Sequence, residues 1–342
     1  MKATVLNAVG TVSVVDVADP VISEPTDAVV QVALAAVCGS DLWPYRGAER
    51  FIPGDRMGHE WLGIVADTGT AVTTIRPGDL VLAPFAFADG TCAHCRRGLF
   101  TSCPRGGFWG GANDGGQAEA VRVPYADATL VAVHADHDPG QLRRLLPLTD
   151  VMATGVHAIT LSGVRPGDTV AVIGDGAVGL SAVLAARRAG AERIVLLGRH
   201  DDRTALASRL GATDIMRDPT DLLEQTRGGV THVAECAGTQ TAIDDALTVI
   251  RPGGTIASVG VPNGINAVDL YRLFRHNITL RPGVTPVRRY LEPLISEVLA
   301  GTLDPSPLLD YEVPLDNIAT AYHAMDQRRA IKAVVTTDTR IR

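Results

Sequence analysis

The chain has 342 residues, long for one hydrophobic core and suited to two domains. With 46% hydrophobic and 20% charged residues, its composition is that of a folded globular protein rather than a disordered one. A formal net charge of −7 with no basic run argues against nucleic acid as the main partner, and no apolar stretch has the length and lack of charge needed to span a bilayer.

The first residues, Met1-Lys2-Ala3-Thr4-Val5, lead into an alternating strand pattern without the apolar region and cleavage site of a secretory signal, so a cytoplasmic protein is expected. To about residue 150 the chain is a series of short β-type runs, such as 29–37 and 63–66, separated by Pro/Gly punctuation that includes Arg76-Pro77-Gly78-Asp79. That predicts a β-rich, irregular domain. From Thr169 the texture changes. Strands are predicted at 169–173, 193–197, 230–235, 254–260 and 277–280, with helices between them, running to about residue 189, after Asp201-Asp202 and to Ile250. Apolar strands alternating with helices predict a parallel sheet covered on both faces, so the second domain is read as a six-stranded doubly wound one. After Pro282 a helix near 291–299 and a last strand at 333–336 are expected to return to the first domain. The predicted domains are 1–151 with 285–342, and 152–284.

Two sets of residues carry chemistry. Cys38-Gly39-Ser40-Asp41, Gly58-His59-Glu60 and Thr149-Asp150 supply a thiolate, an imidazole and carboxylates, the ligand mix of a catalytic zinc. Gly174-Asp175-Gly176-Ala177-Val178-Gly179 follows an apolar run and opens an alanine-rich helical pattern, the dinucleotide fingerprint. Three of the five cysteines, Cys92, Cys95 and Cys103, are clustered, and in a reducing compartment clustered thiols more often hold metal than form disulfides. Cys236 reads as a packing residue, and histidines outside the motifs, His137 among them, read as surface or satisfied core groups. No Gly-x-Ser-x-Gly elbow supports a hydrolase.

Gly58-His59-Glu60-Trp61-Leu62-Gly63, with Gly69 and Val72, resembles the signature of the zinc-containing alcohol dehydrogenases of the medium-chain dehydrogenase/reductase superfamily. The resemblance covers essentially the whole chain and implies a GroES-like catalytic domain plus a Rossmann domain, an α/β protein. It implies that Cys38, His59 and Asp150 are catalytic zinc ligands, with Glu60 able to approach the metal, and that Asp41 fixes the His59 tautomer. This is the Cys-His-Asp pattern of bacterial secondary alcohol dehydrogenases. Family members with a structural zinc carry four cysteines; here Asp89 stands at the first position before Cys92, Cys95 and Cys103, leaving either a Cys3Asp site, with His94 as substitute, or a metal-free lobe.

For the coenzyme, the fingerprint places pyrophosphate against backbone N–H groups near Gly176, Ala177 and Val178, with Gly174 and Gly179 as its outer glycines. The second strand ends in Gly198-Arg199-His200, with Arg203 one turn on and no acid for a ribose 2′-hydroxyl, so NADP(H) is predicted. The resemblance adds Thr154 near the nicotinamide and Lys332 near the cofactor phosphates. It also makes Ser40 the hydroxyl that bonds the substrate oxygen, with Trp43 where many relatives carry the relay histidine. Trp43, Phe85 and Trp109, with Phe108, are the expected pocket lining; Arg46, Arg50 or Arg105 can lie at its rim. The resulting expectation is a zinc-dependent dehydrogenase acting with NADP(H) on an alcohol or carbonyl substrate, a homodimer or homotetramer paired near the strand at 277–280. A zinc-independent quinone or enone reductase of the same fold and a non-catalytic NADPH-binding protein are the alternatives.

Overall fold

A computed structural model describes residues 1–134 and 138–337, so His137 lies outside the described residues. The chain divides into two compact units, Met1–Asp150 with Pro286–Arg342, and Val151–Thr285.

In the first unit a seven-stranded sheet is centred on strand Ala28–Ala36, whose sequence AVVQVALAA is almost wholly buried. A strand without a polar face needs cover on both faces and partners on both edges. It pairs antiparallel with Glu60–Thr68, Ala120–Val123 and Ala333–Thr336. Leu80–Ala83 and Val131–Val133 extend one side, and Tyr311–Pro314 pairs parallel to Ala333–Thr336 on the other. A helix not read from the sequence, Ile318–Asp326, places Ile318, Ala321, Tyr322 and Met325 in the core at i, i+3, i+4 and i+7 spacing. Leu6, Trp61, Val81 and Tyr322 are among its fully or nearly fully buried side chains.

The second unit is a doubly wound α/β domain. Its six parallel strands lie in the order Asp214–Met216, Arg193–Leu197, Thr169–Ile173, Val230–Glu235, Ile250–Ser258, Thr279–Pro282. Asp214–Met216 is too short to announce itself in sequence. The strand expected at 277–280 is displaced to Thr279–Pro282 because Asn277 takes a left-handed conformation, φ 53°, as the cap of helix Leu270–His276. The strand expected at 254–260 begins at Ile250, immediately after helix Gln240–Val249. Helix Val151–Ser162 meets helix Ala177–Arg188 at Gly155, where a Cβ would lie 2.5 Å from the Ser181 backbone carbon. That approach admits no larger residue. Among the described residues no single helix is long and apolar enough to cross a membrane.

Candidate active site

Each metal-type side chain is placed by a distinct local device. Asp41 Oδ2 accepts the backbone N–H of Cys38 at 2.9 Å, closing the turn that carries the thiol. Before His59 stands Gly58, φ +98°, where a Cβ would come within 2.5 Å of the Gln117 backbone nitrogen. Only glycine fits there. Glu60 opens strand Glu60–Thr68, and Asp150 follows the short 3-10 turn Leu146–Thr149.

These devices bring ligand atoms of Cys38, His59, Glu60 and Asp150 within 4.8 Å of one another. Asp150 Oδ2 lies 3.4 Å from Cys38 Sγ and 3.4 Å from His59 Nε2, and Ser40 Oγ is 3.3 Å from the same nitrogen. Burial, then the Asp150 and Glu60 carboxylates, push the Cys38 thiol up to about 11. Glu60 is pushed up to about 7 by burial, against the pull of Lys332. Burial works against charge on His59, but Asp41, Cys38 and Asp150 outweigh it and hold the imidazole well above its ordinary value. Three acidic groups thus crowd one imidazole, and Glu60 Oε2 is buried with no hydrogen-bond partner among the described residues. A divalent cation resolves both conditions: it draws the proton from the thiol and supplies the missing partner. The donor set fits zinc.

Behind the ligands runs a buried chain that sequence reading missed beyond its first member. His59 Nδ1 lies 3.2 Å from Asp41 Oδ1; Gln117 Nε2 donates to Asp41 Oδ2 at 3.2 Å and to the Ala36 carbonyl at 3.2 Å; the Tyr322 hydroxyl donates to Gln117 Oε1 at 2.9 Å. A carboxylate on Nδ1 presents Nε2 to the metal position.

Lys332 is a correction. Expected at the cofactor phosphates, it is 0% exposed, with its ammonium on Glu60 Oε1 at 2.5 Å and on the Val37 carbonyl at 3.4 Å. An ammonium sealed from solvent needs a buried carboxylate, and Glu60 is that partner.

Phe85 lies beside the cluster, its ring 6.4 Å from that of His59 in edge geometry, and it stacks on the exposed Phe108 at 6.0 Å. Trp43 is half-buried in the short helix Leu42–Tyr45. Trp109 is a second correction: 5% exposed, it packs on Trp61 and Phe87 and donates its indole N–H to the Pro84 carbonyl, so it is core and not pocket wall. Nor does Arg46 present a bare charge, since it pairs with Asp326.

The cysteine lobe gathers Asp89, Cys92, Cys95 and Cys103 with ligand atoms within 4.8 Å of one another, while His94 is exposed. Cys92 and Cys95 sulfurs are 3.4 Å apart. Asp89 Oδ1 accepts the N–H groups of Thr91 and Cys92, and Oδ2 receives Arg105, which therefore belongs to this lobe. Burial pushes the Cys95 thiol up to about 12, whereas the Cys95 backbone N–H helps draw Cys92 below its usual value.

In the second unit Gly174, φ +105°, turns the chain out of strand Thr169–Ile173, and Gly176 caps helix Ala177–Arg188, which starts with Ala177 and Val178. A Cβ on Gly179 would sit 1.8 Å from the Gly174 carbonyl oxygen, so this turn excludes any side chain there. Gly198 follows strand Arg193–Leu197, and His200 caps helix Asp201–Leu210, which contains Arg203. The Arg199 guanidinium is largely exposed, 3.9 Å from Asp245. Thr154 is buried in helix Val151–Ser162. Asp175, not singled out from the sequence, accepts the backbone N–H groups of both Arg199 and His200.

Residues 24–134 match the alcohol dehydrogenase GroES-like domain family and residues 177–299 the zinc-binding dehydrogenase family. A Mycobacterium tuberculosis protein described as a zinc-binding alcohol dehydrogenase is 36% identical over 330 residues, covering 94% of this chain and 84% of its own. Among solved structures, an alcohol dehydrogenase from Thermus sp. ATN1 superposes with a TM-score of 0.92 at 33% identity, covering 98% of this chain and 100% of its own. A Sinorhizobium meliloti protein assigned as a zinc-binding dehydrogenase, in a structure bound to NADP, gives 0.84 at 28% identity and 98% coverage of both chains.

Proposed function

The chain belongs to the zinc-dependent alcohol dehydrogenases of the medium-chain dehydrogenase/reductase superfamily, and from that premise we propose that it moves hydride between NADP(H) and a secondary alcohol/ketone or aldehyde pair. The observation that carries the reading is the buried cluster of Cys38, His59, Glu60 and Asp150, one of whose carboxylate oxygens lacks a partner among the described residues. Cys38, His59 and Asp150 hold the metal, which when bound supplies Lewis acidity toward the substrate oxygen. Nicotinamide supplies the hydride acceptor or donor. Asp41 orients the imidazole, and Lys332 holds Glu60 by Oε1, leaving Oε2 to approach the metal whenever the fourth position is empty of substrate. The Ser40 hydroxyl bonds the substrate oxygen and passes its proton on. Trp43 has no group to take that proton, which leaves through water. Phe85 and Phe108 make one wall apolar and favour a substrate whose carbon skeleton carries no charge.

Coenzyme choice rests on the turn after strand Arg193–Leu197, where Gly198-Arg199 rather than an acid follows Leu197 directly and Arg199 and Arg203 offer guanidinium groups for a 2′-phosphate. The NADP-bound Sinorhizobium meliloti neighbour supports this reading. Asp89, Cys92, Cys95 and Cys103 hold a second, structural zinc, with Arg105 offsetting part of its negative charge. Leu270, Tyr271 and Phe274 are 72–77% exposed on the helix just before the edge strand Thr279–Pro282, and we assign this face to a homo-oligomer contact. All five cysteines are free, which suits a reducing compartment such as the cytoplasm. Zinc analysis with turnover of ketones, aldehydes and polyols, using NADPH and NADH in parallel, tests the proposal. Absence of zinc, or full activity in Cys38→Ser, refutes the metal chemistry; a preference for NADH refutes the coenzyme assignment.

A further inference from the structure

Between the first two glycines of the dinucleotide turn stands a carboxylate that is put to use inside the protein. Asp175 is only 7% exposed. Its Oδ2 accepts the backbone N–H of Arg199 at 2.6 Å and that of His200 at 2.9 Å. Nδ1 of His200 lies 2.9 Å from the same oxygen and 3.0 Å from Oδ1. One side chain thus ties the glycine turn to the turn that follows the second strand. Gly198 makes room for this contact: a Cβ there would lie 3.1 Å from Asp175 Cβ and 2.9 Å from Thr204 Cγ2. Burial opposes charge on Asp175, yet the N–H groups of His200 and Arg199 prevail and hold its carboxyl below the ordinary range.

Two successive N–H groups at a turn are ready donors for an anion. Here Asp175 consumes both, which leaves the side chains of Arg199, His200 and Arg203 as the charged or ring donors this turn can offer a phosphate. A carboxylate already receiving three donors is, by the same count, poorly placed to accept from a ribose hydroxyl. We propose that Asp175 is a positioning residue for coenzyme choice, clamping the Arg199–His200 backbone and the His200 ring in the arrangement that grips a 2′-phosphorylated adenosine. This rests on the NADP(H) reading given above.

Adenosine 2′,5′-bisphosphate and adenosine 5′-monophosphate, titrated calorimetrically into the full chain, separate the two ideas without turnover. The unmodified protein binds the bisphosphate more tightly. In Asp175→Ala, loss of the charge-assisted bonds releases the turn, and bisphosphate affinity falls about tenfold while the monophosphate changes less than about twofold. Asp175→Asn keeps an oxygen acceptor for the two N–H groups and shows the same selective fall at about threefold, with KM for NADPH raised and kcat unchanged. If the alanine variant does not fold, the asparagine variant decides alone. Parallel loss for both probes, or no loss, reduces Asp175 to a general structural role and overturns the proposal. Tighter bisphosphate binding in either variant also overturns it, since Asp175 would then act only by repelling phosphate. A native protein without preference for the bisphosphate refutes the NADP(H) reading itself, a result distinct from parallel loss in one that has the preference.

Discussion

Gln117 joins Tyr322 to Asp41 inside the first unit, and its replacement by leucine tests whether that chain reaches the metal position. Gln117 is 0% exposed and makes three bonds, to the Tyr322 hydroxyl, Asp41 Oδ2 and the Ala36 carbonyl. Gln117→Leu leaves the hydroxyl and the carbonyl buried without these partners and removes one donor from Asp41. At about 1–3 kcal/mol for each orphaned group, and with partial relaxation, the fold loses about 3–5 kcal/mol. Tyr322→Phe removes one bond and costs about 1 kcal/mol. Because the double variant deletes both ends of that bond, its cost falls short of the sum by about 1 kcal/mol. Asp41, left with the Cys38 N–H, holds the imidazole less firmly, and zinc affinity drops about tenfold or more. Chelator competition measures the affinity, and denaturant unfolding of the zinc-loaded protein gives the stability. Unchanged zinc affinity in a variant that has lost the expected stability would show that the chain braces the core without holding His59 in place.

Three further outcomes are expected. Cys95→Ala removes one of two zinc equivalents per chain by elemental analysis and leaves the ion at Cys38, His59 and Asp150; retention of both equivalents disproves the second site. Asp127 accepts the backbone and side-chain groups of Thr73 and Thr74; burial opposes its charge, but the Thr74 and Thr73 bonds win and lower its carboxyl. A depressed carboxyl stabilises above its unfolded value, about 3.9, and loses that contribution as pH falls through the folded one. Asp127→Asn is therefore less stable at neutral pH, and its deficit narrows in acid unfolding; a gap independent of pH would contradict the assignment. Phe274→Arg, on the exposed helix face, shifts the protein to monomer in sedimentation, whereas an unchanged mass excludes this face as the contact.

Much of the architecture was readable because its signals are local. Thr169–Ile173 is apolar after its first residue and is followed by a turn whose glycines are demanded by a positive φ at Gly174 and a 1.8 Å approach at Gly179. The metal-type residues were visible because each sits in a short motif of its own. Lys332 was not, since nothing in its neighbours distinguishes a lysine at a phosphate from one sealed against a carboxylate. Trp109 failed for a related reason: an aromatic near a site in sequence packs wherever the core has space, and here Trp61 and Phe87 provide it. Gln117 and Asp175 lie in glycine-flanked turns, where polar residues are ordinary, and their partners are remote in sequence. Helix Ile318–Asp326 did carry a legible apolar period, which went unread because alanine supplies two of its buried positions.

The pairing of Ala333–Thr336 with Ala28–Ala36 gives the two units different histories during synthesis. The nucleotide-binding unit is one uninterrupted stretch, Val151–Thr285, and all its strands have been synthesised before the chain reaches Pro286. The metal-binding unit waits far longer. Its central strand keeps an open edge, and Glu60 stays without its ammonium, until translation has passed Lys332 and delivered the strand that follows. The four side chains able to take up the ion are therefore made well before the sheet that encloses them can close.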